Sequence, residues 1–185
     1  MKSVVISLAM LCTSVYATVD FYQVGGPAEV CDPSNGMRYK FFYDLKYTWL
    51  AAKDACALDS GVLAKIDDSD LHKRFRRYIN SENDIKNPMG GGYWFGLNDR
   101  LVEGSFVFID DTPLSYDGWS SRKVGKKTVT QPNNNVQKDC HGQDCGQLWQ
   151  FPKKRNKNAT WHFDDAYCLD KKSFICMYEN GCSDE

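Results

Sequence analysis

Beyond residues 1–17 the chain has no long hydrophobic run. Nothing there approaches the roughly 20 apolar residues that a membrane-spanning helix needs. It also lacks a strong charge of either sign. With 23 Lys and Arg against 24 Asp and Glu the formal net charge is −1, which argues against a protein that binds nucleic acid or a membrane surface as a whole. No nucleophile–base pair or activated-water constellation stands out, so no enzymatic activity is expected. A common zinc-finger spacing is missing as well. Cys140, His141, Cys145 and His162 are the competing zinc candidates, but thiols of an exported protein should be oxidised.

What is present is an ordinary globular mixture. The 185 residues are 42% apolar and 25% charged, which suits one domain with a sizeable core. Residues 1–17 read as a secretory signal: Lys2 gives the positive start, Val4 to Cys12 the apolar run, and Val15-Tyr16-Ala17 the cleavage site. The chain is therefore expected outside the cell, beginning near Thr18. Seven cysteines then remain, at 31, 56, 140, 145, 168, 176 and 182. Seven is odd, so one is free or joins a second chain. Asn158-Ala159-Thr160 is a glycosylation sequon, which places that loop at the surface.

Local patterns predict the elements. Residues 18–38 form a turn-rich N-terminal extension, and Tyr39–Tyr43 reads as a first strand. Thr48 caps a helix whose Trp49, Ala52 and Cys56 share one face and which stops at Gly61. Val62–Ile66 is a short strand. Ser69 caps a second helix with an apolar stripe of Leu71, Phe75, Tyr78 and Ile79. Its remaining face, His72, Lys73, Arg74, Arg76 and Arg77, reads as solvated rather than as a docking surface. Asn87–Gly92 is a loop, and Tyr93–Asp99 a buried strand. Phe106, Phe108 and Trp119 are packing aromatics, Trp119 as the anchor of a long loop. Arg122, Lys123, Lys126 and Lys127 cluster in 120–130, and Lys153, Lys154, Arg155 and Lys157 form a second cluster. Both read as solvated loops that would attract acidic sugars if they rimmed a sugar site.

Chemistry concentrates between Gln131 and Cys168. Gln131-Pro132-Asn133 is followed by Asp139-Cys140, Asp144-Cys145, Trp161-His162-Phe163-Asp164-Asp165 and Cys168. A cis X-Pro bond, which costs only about 0.5–1 kcal/mol, would point the Gln131 and Asn133 side chains the same way. Two adjacent aspartates follow on a second segment. Oxygen donors from carboxylates and amides are what a hard cation such as calcium requires.

This constellation, with Tyr93-Trp94-Phe95-Gly96-Leu97 and the Trp49, Ala52 and Cys56 helix, resembles the C-type lectin domain over residues 39–178. The resemblance implies an α+β fold: two helices with small antiparallel sheets and a long disulfide-held loop, followed by a tail at 179–185. It implies a calcium ion held by Gln131, Asn133, Asp139, Asp164 and Asp165. Vicinal sugar hydroxyls would meet Gln131, Asn133, Asp139 and Asp164, so the expected partners are carbohydrates, acidic ones included. Gln131 looks like the galactose-type first position and Asn133 like the mannose-type third, so the sugar stays open. The resemblance also implies the disulfides Cys56–Cys176 and Cys31–Cys182. For Cys168 two partners are open, Cys145 and Cys140. Cys145 is favoured because Cys145–Trp149 reads as a strand start, and Cys140 is then left over for a disulfide-linked dimer. The choice decides whether Asp139, or Gln143 and Asp144, stands at the carboxylate position; Asp139 is preferred as the nearer carboxylate. The alternative function is a lectin-like domain that binds a protein, mineral or ice surface without sugar.

Overall fold

In the computed structural model the described residues are 20–24, 28–138, 142–150, 160–179 and 182. Residues 1–17, expected as a signal segment, Asp139, Cys140, His141, the Lys153 to Lys157 cluster and Asn158 lie outside them.

Aromatic strands and two α-helices make up the described residues. In order they are β1 (Tyr22–Gln23), β2 (Glu29–Asp32), β3 (Met37–Tyr47), α1 (Trp49–Leu58), β4 (Val62–Leu63), α2 (Ser69–Ser81), β5 (Gly92–Asn98), β6 (Val107–Phe108), β7 (Ser121–Val124), β8 (Lys127–Thr130), β9 (Cys145–Gln150), β10 (Trp161–Ala166) and β11 (Lys172–Tyr178). Rather than several small sheets, nine strands form one sheet in the order β1-β2-β3-β11-β5-β9-β10, with β4 on β11 and β6 on β5. All pairings are antiparallel except β11 with β5. Only β7 and β8 stand apart, as a two-stranded hairpin. The basic stretch expected as a loop is thus regular structure. Asn87–Gly92, expected as a loop, includes a 3-10 turn at Met89–Gly91 and the first residue of β5.

The Thr48 cap forms as expected: its hydroxyl accepts the Ala51 N–H at 3.3 Å, and Trp49, Ala52 and Cys56 are buried. The stop differs in detail. The left-handed residue is Ser60, at φ 61°. Gly61 is needed for a different reason, because a Cβ there would meet the Tyr178 ring at 2.7 Å. The α2 cap also shifts by one residue. Asp68, not Ser69, accepts the Asp70 and Leu71 N–H groups at 2.7 and 2.9 Å, since a carboxylate is the stronger acceptor at a positive helix end.

Leu71, Phe75, Tyr78 and Ile79 are buried as their spacing implied. Phe75 packs against Tyr39 and Phe41, with ring centroids 4.9 and 5.8 Å apart. The basic face of α2 is not simply solvated, which corrects the sequence reading. Arg74 is buried and donates from Nε and Nη2 to Asp32 Oδ2 at 3.1 and 2.8 Å, and Asp32 has no exposed surface. His72 is also buried. Its Nε2 lies 3.1 Å from the Trp161 carbonyl and its Nδ1 3.2 Å from the Tyr116 hydroxyl. The extension therefore contributes strands, and Asp32 ties them to α2.

The disulfides are Cys31–Cys182 and Cys56–Cys176, the pairs the resemblance implied, and Cys145–Cys168, the pair favoured from the strand at Cys145. The last resolves the open choice. It also removes Cys145 from any zinc set.

Candidate functional site

Trp119 packs on Phe106 and Phe163, with centroids 4.7 and 6.0 Å apart, so it anchors the long loop as expected. Next to it, the Ser120 N–H donates to the Phe163 carbonyl at 3.0 Å and the Ser120 carbonyl accepts the Gln131 N–H at 2.8 Å. The start of the Gln131–Lys138 loop is thereby fixed to β10, the strand that carries Asp164 and Asp165. The Gln131–Pro132 peptide is cis, and Asn133 Nδ2 donates to Gln131 Oε1 at 2.5 Å. The two side chains that flank the proline do meet.

Asp165 is fully buried. Its Oδ2 accepts the backbone N–H groups of Asn133 and Asn134 at 2.9 and 2.6 Å, which holds the proline loop against β10. Its Oδ1 is buried with no hydrogen-bond partner. Burial pushes the Asp165 carboxyl up, against the lowering effect of those two N–H donors.

Asp164 is 9% exposed. Its Oδ2 accepts from Gln147 Nε2 at 2.7 Å, because the β9–β10 register sets these residues opposite each other. Gln147 Oε1 is buried without a partner. Gln131, Gln143, Gln147, Asp164, Trp149 and Lys172 line one cleft. The Lys172 ammonium lies 5.3 and 5.5 Å from the ring centroids of Trp94 and Trp149. Burial lowers its pKa, partly offset by Asp170 and Asp164. Lys138 at the cleft edge pairs with Asp170.

The Cys145–Cys168 bond puts Gln143 and Asp144 immediately before the bonded cysteine. Gln143 N–H donates to Asn134 Oδ1 at 2.8 Å, and Gln143 Oε1 accepts the Asn135 N–H at 3.2 Å. Gln143 and Asp144 are thus the residues at the carboxylate position, while Asp139 lies outside the described residues. Of the five expected ligands, Gln131, Asn133, Asp164 and Asp165 are drawn to one loop-and-strand junction.

Sequence reasoning missed a neighbouring acidic group. Asp99, at the end of β5, is 3% exposed. Its Oδ2 accepts the Gly104 N–H at 2.8 Å, its Oδ1 is buried without a partner, and its own N–H donates to the Asp144 carbonyl at 3.0 Å. Burial first, then the Glu103 and Asp144 charges, push its carboxyl up to about 6. Asp144 also raises Asp165. The signal was the acid ending the buried Tyr93–Asp99 run, which the sequence presents only as packing. Gln147 and Lys172 were missed because strand register brings them to the cleft.

Among the described residues no group of three or more His, Cys, Asp or Glu forms a ready metal cage. Calcium, however, also takes amide oxygens beside its carboxylates. A buried polar oxygen without a partner costs about 1–3 kcal/mol. Asp165 Oδ1 is such an atom beside the proline loop, and Gln147 Oε1 is a second, over Gly92 on β5. The donor set Gln131, Asn133, Asp164 and Asp165 fits a hard cation, with more amide and less carboxylate than such a site usually has.

The family described as Lectin C-type domain matches residues 45–178. A C-type lectin mannose-binding isoform of Oxyuranus scutellatus is 28% identical over 78% of this chain and 78% of that protein. A perlucin-like protein of Mytilus galloprovincialis is 27% identical over 80% of this chain and 84% of that protein. Among solved structures, the human scavenger receptor C-type lectin carbohydrate-recognition domain superposes with a TM-score of 0.61 at 23% identity, covering 84% of this chain and 99% of that one. A calcium-independent type II antifreeze protein superposes at 0.55 with 20% identity, covering 85% and 96%.

Proposed function

Because this chain belongs to the C-type lectin domain family, we propose that it is a secreted, calcium-dependent carbohydrate-binding protein. The observation that carries the reading is the divided role of Asp165. One carboxylate oxygen holds the Asn133–Asn134 backbone, and the other is buried with no hydrogen-bond partner. Gln131, Asn133, Asp164 and Asp165 would hold the ion. When bound, calcium offers coordination positions to two neighbouring sugar hydroxyls. The chain's own groups then orient those hydroxyls. The Asp164 carboxylate accepts, and the Gln131 and Asn133 amides donate. The snake relative's mannose-binding name agrees with the mannose-type Asn133, and the signal segment and the Asn158 sequon agree with export.

The alternative, a lectin-like domain that binds a protein, mineral or ice surface without sugar, draws on Lys172. Lys172 is 6% exposed and lines the same cleft, where it supplies positive charge that a bound cation would otherwise bring. Calorimetric calcium titration with a glycan array, each with and without chelator, decides between them. Calcium binding in the calorimeter and chelator-sensitive sugar binding support the lectin. No calcium heat and no calcium-responsive sugar leave the alternative.

A further inference from the structure

The β7–β8 hairpin is the one pair of strands, among the described residues, that joins no larger sheet. It is mounted directly beside the proposed glycan site. Its base is clamped by Ser120, whose backbone bonds both Phe163 on β10 and Gln131 at the start of the proline loop. Gly125 at φ 64° makes the tight turn that a two-residue hairpin connection requires.

The charge on this arm is one-sided. From Gly118 to Lys138 there are five cations, Arg122, Lys123, Lys126, Lys127 and Lys138, and no acid, in a chain whose formal net charge is −1. Lys40, Lys65, Lys73 and Lys138 all have carboxylate partners. Lys123, Lys126 and Lys127 are exposed and, among the described residues, make no ion pair. The register keeps the like charges from facing each other: Arg122 pairs with Val129, Lys123 with Thr128, and Lys127 with Val124. Direct cross-strand repulsion, which would open a hairpin, is thereby avoided. A run of cations without acids on this separate hairpin gives it a positive surface that an anionic partner complements.

We propose that the β7–β8 hairpin is a docking arm for the anionic groups, carboxylate or sulfate, of a charged polysaccharide whose neutral hydroxyls reach the adjoining cleft. This rests on the reading of that cleft as a glycan site, and it assigns the class of glycan. Lys123 on β7 and Lys127 on β8 stand at the turn end of their strands, with Lys126 in the turn between them, so the hairpin tip offers several cations to successive charges of one polymer rather than to a single ion.

The test uses the full chain and the variant Lys123→Ser/Lys126→Ser/Lys127→Ser, with alginate, dextran sulfate and neutral dextran as probes, in chelator. Wild type should bind a charged polymer and not neutral dextran. The variant should bind at least about tenfold more weakly, with a log-affinity against log-salt slope shallower by about two to three, close to one released counterion per cation removed. Loss on alginate identifies carboxylates, and loss on dextran sulfate identifies sulfates. A variant with unchanged affinity and slope, or a wild type that binds neutral dextran equally well, overturns the proposal. Calcium titration of the same variant should match wild type. If wild type shows no calcium response yet the variant loses polyanion binding, the calcium reading falls and the docking arm stands.

Discussion

Asp165 on β10 accepts the Asn134 N–H at 2.6 Å, with the Asn133 N–H at 2.9 Å on the same oxygen. One carboxylate therefore shapes the loop and, in the proposed function, also serves the ion. These two roles can be separated. Asp165→Asn keeps an acceptor for the backbone but loses the charge. Since burial already raises the Asp165 carboxyl, the ion-free protein should melt near the wild-type temperature. Calcium affinity should fall by about tenfold or more, about 1.4 kcal/mol. Calorimetry and differential scanning on the same variant check this, and a large loss of ion-free stability with intact calcium binding would refute it.

Asp164 and Gln131 line the same cleft, and we predict that their charges compensate. Against the mannose-type site of the family, the resemblance sets Gln131 in the place of an acid and Asp164 in the place of an amide. Asp164→Asn should weaken calcium binding markedly, and adding Gln131→Glu should restore most of the loss. Titration of the single and double variants decides. A double variant no tighter than the single removes the compensation.

Asp99 and His72 should tilt the ion-free stability in opposite directions with pH. Asp99 rises from 3.8 to about 6, so the folded state takes up its proton first. That contribution is fully present below pH 3.8 and is lost as pH rises through about 6. Burial pushes His72 down from 6.5 to about 4. Its contribution is present above pH 6.5 and is lost as pH falls toward about 4. Melting temperature against pH should therefore steepen in Asp99→Asn and flatten in His72→Gln. Parallel curves for the three proteins would contradict both assignments.

Arg74 and Asp32 form a buried ion pair across α2 and β2. Removing one partner of such a pair costs about 3–5 kcal/mol, because the other charge is left buried. Arg74→Met should therefore unfold at much lower denaturant. Arg74→Met with Asp32→Asn should recover part of that loss, since no uncompensated charge remains. Urea titrations of both variants measure the coupling.

Local chemistry was legible without the fold. Helical spacing placed Trp49, Ala52 and Cys56 on one buried face, and Leu71, Phe75, Tyr78 and Ile79 on another, because apolar side chains at i, i+3 and i+4 can only be covered together. The Gln131-Pro132-Asn133 tripeptide and the Asp164-Asp165 pair were visible as oxygen donors for the same reason: they are contiguous. What the chain by itself left open was the strand register and the polar contacts that long-range pairing sets. The β9–β10 register brought Gln147 to Asp164. The Cys145–Cys168 bond moved Gln143 and Asp144 to the loop. A basic helix face lost Arg74 to a carboxylate 42 residues earlier, and a basic loop became a hairpin. Periodicity reports which face of an element is apolar, but not which distant polar group will lie against it. That partner is chosen when the strands close, because a charge taken out of water must find its counter-charge or hydrogen bond in the assembled core.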